Sequence, residues 1–259
     1  MLAQLEKTVD EDEWPVAEFP DAADLPEEDG IPLESPWHRA QINLLIDILV
    51  NAWRDRTDYY VGGNMFIYFS REQVLNRDYR GPDFFVVKDV DGTVDRRSWI
   101  VWEEGGRYPD LIIELLSPST AERDKSVKKQ LYEQTFRTPE YFCYDPYNRE
   151  LLGWRLGGGS YYALEPDENG RLWSPAMQAW IGLWEGDFLG RTHLWLRLFD
   201  EEGQLMPTGM EAESQRAEAE AERARQAQEK AEQEATARLA VEAEMAALQE
   251  ELERLRRSS

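Results

Sequence analysis

The segment "YPDLIIELLSPSTAERDKSVKKQLY", residues 108–132, decides the architecture. Ile112 and Ile113 run into Leu115 and Leu116 with Glu114 set between them, and Pro109 and Pro118 bound the run. A short apolar run between turn signals is the pattern of a strand buried on both faces. A charged Glu in such a strand costs several kcal/mol unless something compensates it. Four outcomes stand open for Glu114: a neutral acid with a raised pKa, a pair with a cation, a metal ligand, or a position at the strand end that meets water. After Ser117-Pro118-Ser119 the chain predicts a helix from about Ala121 to Phe136, and "EYFCYDP", residues 140–146, reads as the next strand. Ser117 and Ser119 have no base positioned beside them in the sequence and read as turn and cap residues.

Outward from this unit, Ser35-Pro36 predicts a helix start with Ser as N-cap and Pro in the first turn. The helix that follows carries an apolar stripe of Ala40, Leu44, Leu45, Ile48 and Ala52, widened by Leu49 and Trp53. "NMFIYFS" (64–70), "GPDFFVVKDV" (81–90) and "SWIVWEEG" (98–105) read as strands. On the other side, "ELLGWRL" and "SYYALEP" form a hairpin through Gly157-Gly158-Gly159, and "FLGRTHLWLRLFDEEGQLM" (188–206) reads as a short hairpin. The order helix, strands, helix, strands predicts an α/β domain with a mixed sheet.

Composition changes sharply near Thr208-Gly209. From Glu211 onward there is no Pro, Gly or aromatic residue, and Ala, Glu, Gln and Arg dominate, which marks a long helix. Steps of four and three pick out Ala217, Ala221, Ala224, Gln228, Ala231 and Ala235. After a phase shift near Arg238 they pick out Val241, Met245, Leu248, Leu252 and Leu255. That is the heptad seam of a coiled coil with a stammer, and it predicts a homo-oligomer. The competing reading is a single solvated helix steadied by Glu–Arg pairs. The organisation is thus an acidic, poorly ordered segment 1–30, an α/β domain 31–209, and a helical coiled coil 210–259.

The whole chain of 259 residues carries a net charge of −23, of which the helical tail supplies −5. Residues 1–30 hold eleven acids against one Lys, a self-repelling opening. The single cysteine, Cys143, excludes an internal disulfide and fits a reducing compartment. No stretch has the apolar length of a membrane span, and no basic region followed by an apolar stretch opens the chain, so a cytoplasmic protein is expected.

Glu114 has a counterpart. Asp83, in "GPDFFVV", opens another apolar strand and also follows a Pro. Two strands with one carboxylate each can aim both at one point, and a divalent cation resolves their repulsion. Oxygen-only ligands favour Mg²⁺ or Mn²⁺. Such an ion polarises a phosphodiester and generates hydroxide from its bound water. The helix after Glu114 supplies Lys125, Lys128 and Lys129, and Asp124 shares a face with Lys128. Lys125 and Lys129 read as solvated surface.

"GPDFFVV", "PDLIIELLSPST", "DKSVKKQLY" and "TPEYFCYDP", in that order and spacing, resemble the Uma-two family of putative restriction endonucleases, within the PD-(D/E)XK nuclease superfamily. The resemblance covers roughly residues 30–195. It implies a restriction-endonuclease-like mixed sheet flanked by helices. It also implies a DNA endonuclease using Mg²⁺ or Mn²⁺, with Asp83 and Glu114 as the two acids, Lys128 as the helical lysine and Tyr132 as the helical tyrosine. Two residues beyond Glu114, where the superfamily has Lys, stands Leu116; members with a lysine displaced onto the following helix are known, and Lys128 fits them. An acid on the first helix completes the metal site in some such nucleases, which makes Glu34 the third candidate ligand. Arg123, Lys125 and Tyr132 are the candidate substrate contacts. Asp110, in a second Pro-Asp pair, is a decoy about 13 Å from Glu114 along extended chain. His38 reads as a structural hydrogen bonder.

Charge argues the other way. DNA affinity comes largely from Lys and Arg on phosphates. An acidic body with a small positive mouth of Arg123, Lys125, Lys128, Lys129 and Arg137 predicts weak or conditional DNA binding. The alternative function is therefore an inactive nuclease-fold module whose coiled coil makes it an assembly or regulatory subunit.

Overall fold

A computed structural model of the chain describes residues 25–26, 35–76 and 81–257. The acidic opening, apart from Leu25 and Pro26, and Glu34 lie outside the described residues. The chain divides into two compact units, residues 1–206 and 207–259.

In the first unit, α1 (Pro36–Ala52) starts as expected: the Ser35 hydroxyl accepts from the His38 N–H, and Pro36 fills the first turn. Its apolar stripe is buried, with Leu44, Leu45, Ile48 and Leu49 fully enclosed. The central sheet has six strands in the order β1 (Tyr59–Gly63), β3 (Phe84–Lys88), β5 (Leu111–Leu115), β6 (Glu140–Asp145), β7 (Glu150–Gly157) and β8 (Ser160–Ala163). It is mixed: β5 and β6 are parallel, and the other four pairings are antiparallel. A parallel pair needs a crossover, and the helical segment 121–136 provides it. The architecture is a mixed α/β sheet flanked by helices, as expected.

Alternation along the central strands builds two cores. Phe84, Val86, Ile113, Leu115, Phe142 and Tyr144 face α1 and a second sheet of β9 (Leu172–Ser174), β10 (Ala179–Phe188) and β11 (Arg191–Phe199). Phe85, Val87, Ile112, Tyr141 and Cys143 face the other way, onto Tyr132 and Phe136 of the 121–136 segment. Gln41 fastens α1 to β11 by donating to the Leu196 carbonyl and accepting from the Leu196 N–H.

Two expected strands shrink. Of 64–70 and 98–105, only β2 (Ile67–Tyr68) and β4 (Trp99–Ile100) pair, in parallel. The chain turns immediately after β4, through Gly105 and Gly106 at positive φ. The short hairpin expected within 188–206 is replaced by a longer one that begins upstream: β10 and β11 pair continuously from Trp180↔Phe199 to Phe188↔Arg191, and Leu205 returns only as a bridge to Phe199. The β10–β11 turn is Leu189-Gly190, both at positive φ. Leucine rarely takes that conformation, which is why the sequence does not announce the turn. The β7–β8 turn, Gly158-Gly159 at φ 59° and 98°, follows the glycine signal directly.

The 121–136 segment is one helical run with changing winding. Short α-helical pieces, Ala121–Arg123 and Lys129–Leu131, alternate with π-helical turns, Asp124–Lys128 and Tyr132–Phe136. Arg137 ends it in the left-handed conformation.

The second unit holds the C-terminal helix, Gly209–Arg257. Thr208 and Glu211 form a reciprocal cap: the Glu211 N–H donates to the Thr208 hydroxyl and the Thr208 N–H to the Glu211 carboxylate. Among the described residues, no helix is long and apolar enough to cross a membrane.

Candidate active site

The β3–β5 register sets Phe84 opposite Ile113. Continued one position past the end of the ladder, the same register would bring Asp83 level with Glu114. Directly opposed residues of antiparallel strands hold their Cβ atoms about 5 Å apart. Asp83 lies where β3 begins, just beyond the ladder, and its Oδ2 accepts the Leu115 N–H at 2.7 Å. Its other oxygen, Oδ1, lies 2.7 Å from His38 Nε2. Asp83 is thus held from both sides, by the backbone of β5 and by the first turn of α1.

Glu114 is fully buried. This excludes the reading in which it meets water at the strand end. Tyr132 donates its hydroxyl to Oε1 at 2.8 Å, and Lys128 donates to Oε2 at 2.9 Å. Lys128 Nζ also lies 2.9 Å from Asp124 Oδ1. Positions four apart on an α-helix advance by about 40°, so Asp124, Lys128 and Tyr132 would fan over about 80°. A π turn holds more residues and cancels that drift, aligning the three over one strand residue.

One ammonium therefore contacts two acids, Glu114 and Asp124, and feels the charge of a third, Asp83. Burial pulls the Lys128 pKa down, but the three carboxylates outweigh it and hold the group cationic, above its ordinary range. With every acid ionised the cluster would be net negative in a dry site. The most buried acid responds. Burial drives the Glu114 pKa up to about 8, Lys128 opposes the rise, and Asp83 and Asp124 add to it. Burial, then the adjacent Glu114, also raises the Tyr132 hydroxyl well above its usual value, so it stays a donor.

The remaining candidates do not converge here. Tyr132, expected to touch substrate, is sealed in the core and holds Glu114 instead. Lys125 pairs with Glu150 at 3.0 Å, and Lys129 lies over the Trp154 ring at 4.2 Å. Arg123 and Arg137 are exposed at opposite ends of one helical run. At 1.5 Å per residue they stand about 20 Å apart. The expected positive mouth is dispersed. Asp110 accepts the Lys88 N–H at 2.7 Å, at the far end of the β3–β5 pair. His38, read as a structural hydrogen bonder, makes its bond to Asp83 itself. The signal available in the sequence was its place three residues after a Ser-Pro helix start.

A family model described as "Uma2: Putative restriction endonuclease" matches residues 27–184, more than half of the chain. The chain belongs to the Uma2 family. Among solved structures, Uma2 residues here align with a crystal structure described as a putative nuclease belonging to DUF820 from Anabaena variabilis. That match has 16% identity and a TM-score of 0.39, over 56% of this chain and 76% of that one. No curated protein matches. The matched Uma2 region contains Asp83, Glu114, Lys128 and His38.

Restriction-endonuclease-like families generally use divalent metal ions, and this Uma2 site can be tested for fit. Among the described residues no group of three or more His, Cys, Asp and Glu forms a metal cage. Mg²⁺, however, is commonly held by one or two carboxylates while it keeps waters and substrate oxygens. Asp83 and Glu114 supply two, and each of their oxygens retains acceptor capacity beside the bond it already makes. The donor set fits a hard, oxygen-seeking ion.

Proposed function

We propose that the protein is a divalent-metal-dependent DNA endonuclease that hydrolyses phosphodiester bonds at Asp83, Glu114 and Lys128. The observation that carries this reading is the register. It ends at Phe84↔Ile113 and leaves Asp83 accepting the Leu115 N–H at 2.7 Å, next to Glu114, with the Lys128 ammonium 2.9 Å from Glu114. Asp83 and Glu114 would hold Mg²⁺ or Mn²⁺, which when bound polarises the phosphate and lowers the pKa of its water. His38 and the Leu115 N–H fix the rotamer of Asp83. Tyr132 and Lys128 fix that of Glu114. Lys128, held cationic, faces negative charge developing on the phosphate. In this reading the domain is residues 31–209, and the C-terminal helix joins copies of the chain.

Plasmid incubated with the protein and Mg²⁺ or Mn²⁺ tests it. Nicking or linearisation is expected for the wild type, loss for Asp83→Ala and Lys128→Ala, and near-wild-type cleavage for Lys129→Ala. Equal cleavage by all four proteins would sink the assignment. A second reading, an inactive assembly or regulatory subunit, is favoured by one observation: both Glu114 oxygens are already engaged inside a sealed core. Intact plasmid under every metal condition selects it.

A further inference from the structure

Beside the acid pair lies a cleft of about 410 Å³. Its walls come from the two segments that hold the acids. Ser35, Trp37 and His38 belong to the start of α1, and Leu116, Ser117 and Ser119 to the turn just after Glu114. Tyr147, on the turn after β6, closes the outer side. His38 connects cleft and site, since its Nε2 lies 2.7 Å from Asp83.

The lining has an unusual character for this molecule. In a chain of net charge −23, none of the residues lining the cleft is an acid. The walls offer ring faces and hydroxyls. Trp37 is braced as a platform: it stacks on Trp195 with 14° between the rings, and its neighbours Tyr144 and His38 lie at 6.0 and 6.2 Å between centroids. Tyr147 is held by its backbone, whose N–H donates to Asp145, while 68% of the residue is exposed. Ser117 and Ser119 bond one another at 2.9 Å; the Ser117 hydroxyl also meets Thr120 Oγ1 at 3.1 Å and accepts from the Ser119 and Thr120 N–H groups, so hydrogen bonding to a ligand falls mainly to Ser119. A phosphate would want cations, and the lining has no Lys or Arg, while His38 is engaged by Asp83. A flat, uncharged, hydrogen-bonding heterocycle matches it on each count.

We propose that this cleft receives one unstacked nucleobase of the strand being cut, gripped between Trp37 and Tyr147 and hydrogen-bonded by the Ser117–Ser119 turn. The proposal rests on the nuclease reading for its substrate class and adds how an acidic protein holds that substrate. Ring stacking replaces part of the missing phosphate contacts, because every base has a face to stack. It also sets a preference: strands whose bases are already unpaired enter without the cost of opening a duplex.

The test is binding, without metal, of a short single-stranded oligonucleotide carrying 2-aminopurine, whose fluorescence falls on stacking. Quenching that saturates with wild-type protein is expected. Tyr147→Ala should raise the apparent Kd about 5- to 160-fold, the range that one base–aromatic stack spans, and Tyr147→Phe should stay within about twofold. Tyr147 is exposed, so neither variant disturbs the core. Unchanged binding by Tyr147→Ala, no quenching by wild type, or equal affinity for an oligonucleotide with abasic sites throughout would overturn the proposal. Its failure is separable from that of the nuclease reading. Ring-dependent binding with no cleavage under Mg²⁺ or Mn²⁺ sinks the nuclease and keeps the cleft. Cleavage at Asp83 and Glu114 with ring-independent binding does the reverse.

Discussion

Glu114 is where the physical chemistry of this protein concentrates. Its carboxylate is fully buried in a strand, and its two oxygens are served by a phenol and an ammonium. Tyr132→Phe removes one donor and leaves Oε1 unsatisfied, which should destabilise the protein by about 1–3 kcal/mol. Chemical denaturation of the metal-free protein measures it, and an unchanged midpoint would mean that Tyr132 does not hold the acid. The raised pKa carries a second prediction. An acid whose folded value rises from 4.5 to about 8 favours the folded state fully below pH 4.5. It loses that contribution as pH climbs through 8. The metal-free protein should therefore lose stability relative to Glu114→Gln between pH 5 and 8, on the order of 4 kcal/mol if the shift is fully expressed. Denaturant midpoints of both proteins across that range decide it, and parallel curves would show that Glu114 is ionised throughout. Mg²⁺ or Mn²⁺ should reverse the loss at pH 8.

At the scale of elements, the C-terminal helix stands out. Val241, Met245, Leu248, Leu252 and Leu255 are spaced by four and three, and each is more than half exposed. A row of large apolar side chains in water is a seam without a partner in the single chain. The Ala stretch before it buries little area in any pairing, so the leucine end should hold the contact. Light scattering on the full chain and on residues 1–209 should give an oligomer and a monomer. Two monomers at tens of micromolar would leave the helix as a solvated rod. The 121–136 run teaches a different lesson. The four-residue step from Asp124 to Lys128 predicts a shared face, but α-helical winding alone would not bring both of them and Tyr132 to Glu114. The π turns do, and no residue pattern marks them, because they are enforced by what the side chains meet across the sheet.

For the whole molecule, charge sets the terms of binding. Among the basic residues near the site, Lys125 pairs with Glu150, Lys128 with two acids, and Lys129 rests on Trp154. Few cations remain to neutralise phosphates, and each one engaged contributes a slope of about −0.7 to −0.9 in log K against log salt. Fluorescence anisotropy with Ca²⁺ in place of Mg²⁺ should give a slope no steeper than about −3 and weak binding at 0.15 M salt. A slope near −8 would reveal a basic surface supplied by assembly.

The sequence by itself determined the strand–turn–helix–strand unit around Glu114, the capped first helix, the glycine hairpin and the long charged helix. Each is written in local terms: apolar period, proline bounds, caps and composition act within a few residues. It also marked Asp83 and Glu114, since a carboxylate in an apolar run conflicts visibly with its surroundings, while Lys128 was singled out by the resemblance of its helix motif to the Uma2 family. Only the tertiary structure decided that His38 meets Asp83, that Tyr132 turns inward to Glu114, and that the basic residues scatter. These depend on strand register and on helix winding over a sheet, where one residue's shift changes the partner. Contacts between residues 45 or 18 positions apart are set by packing the whole core, and no local pattern encodes them.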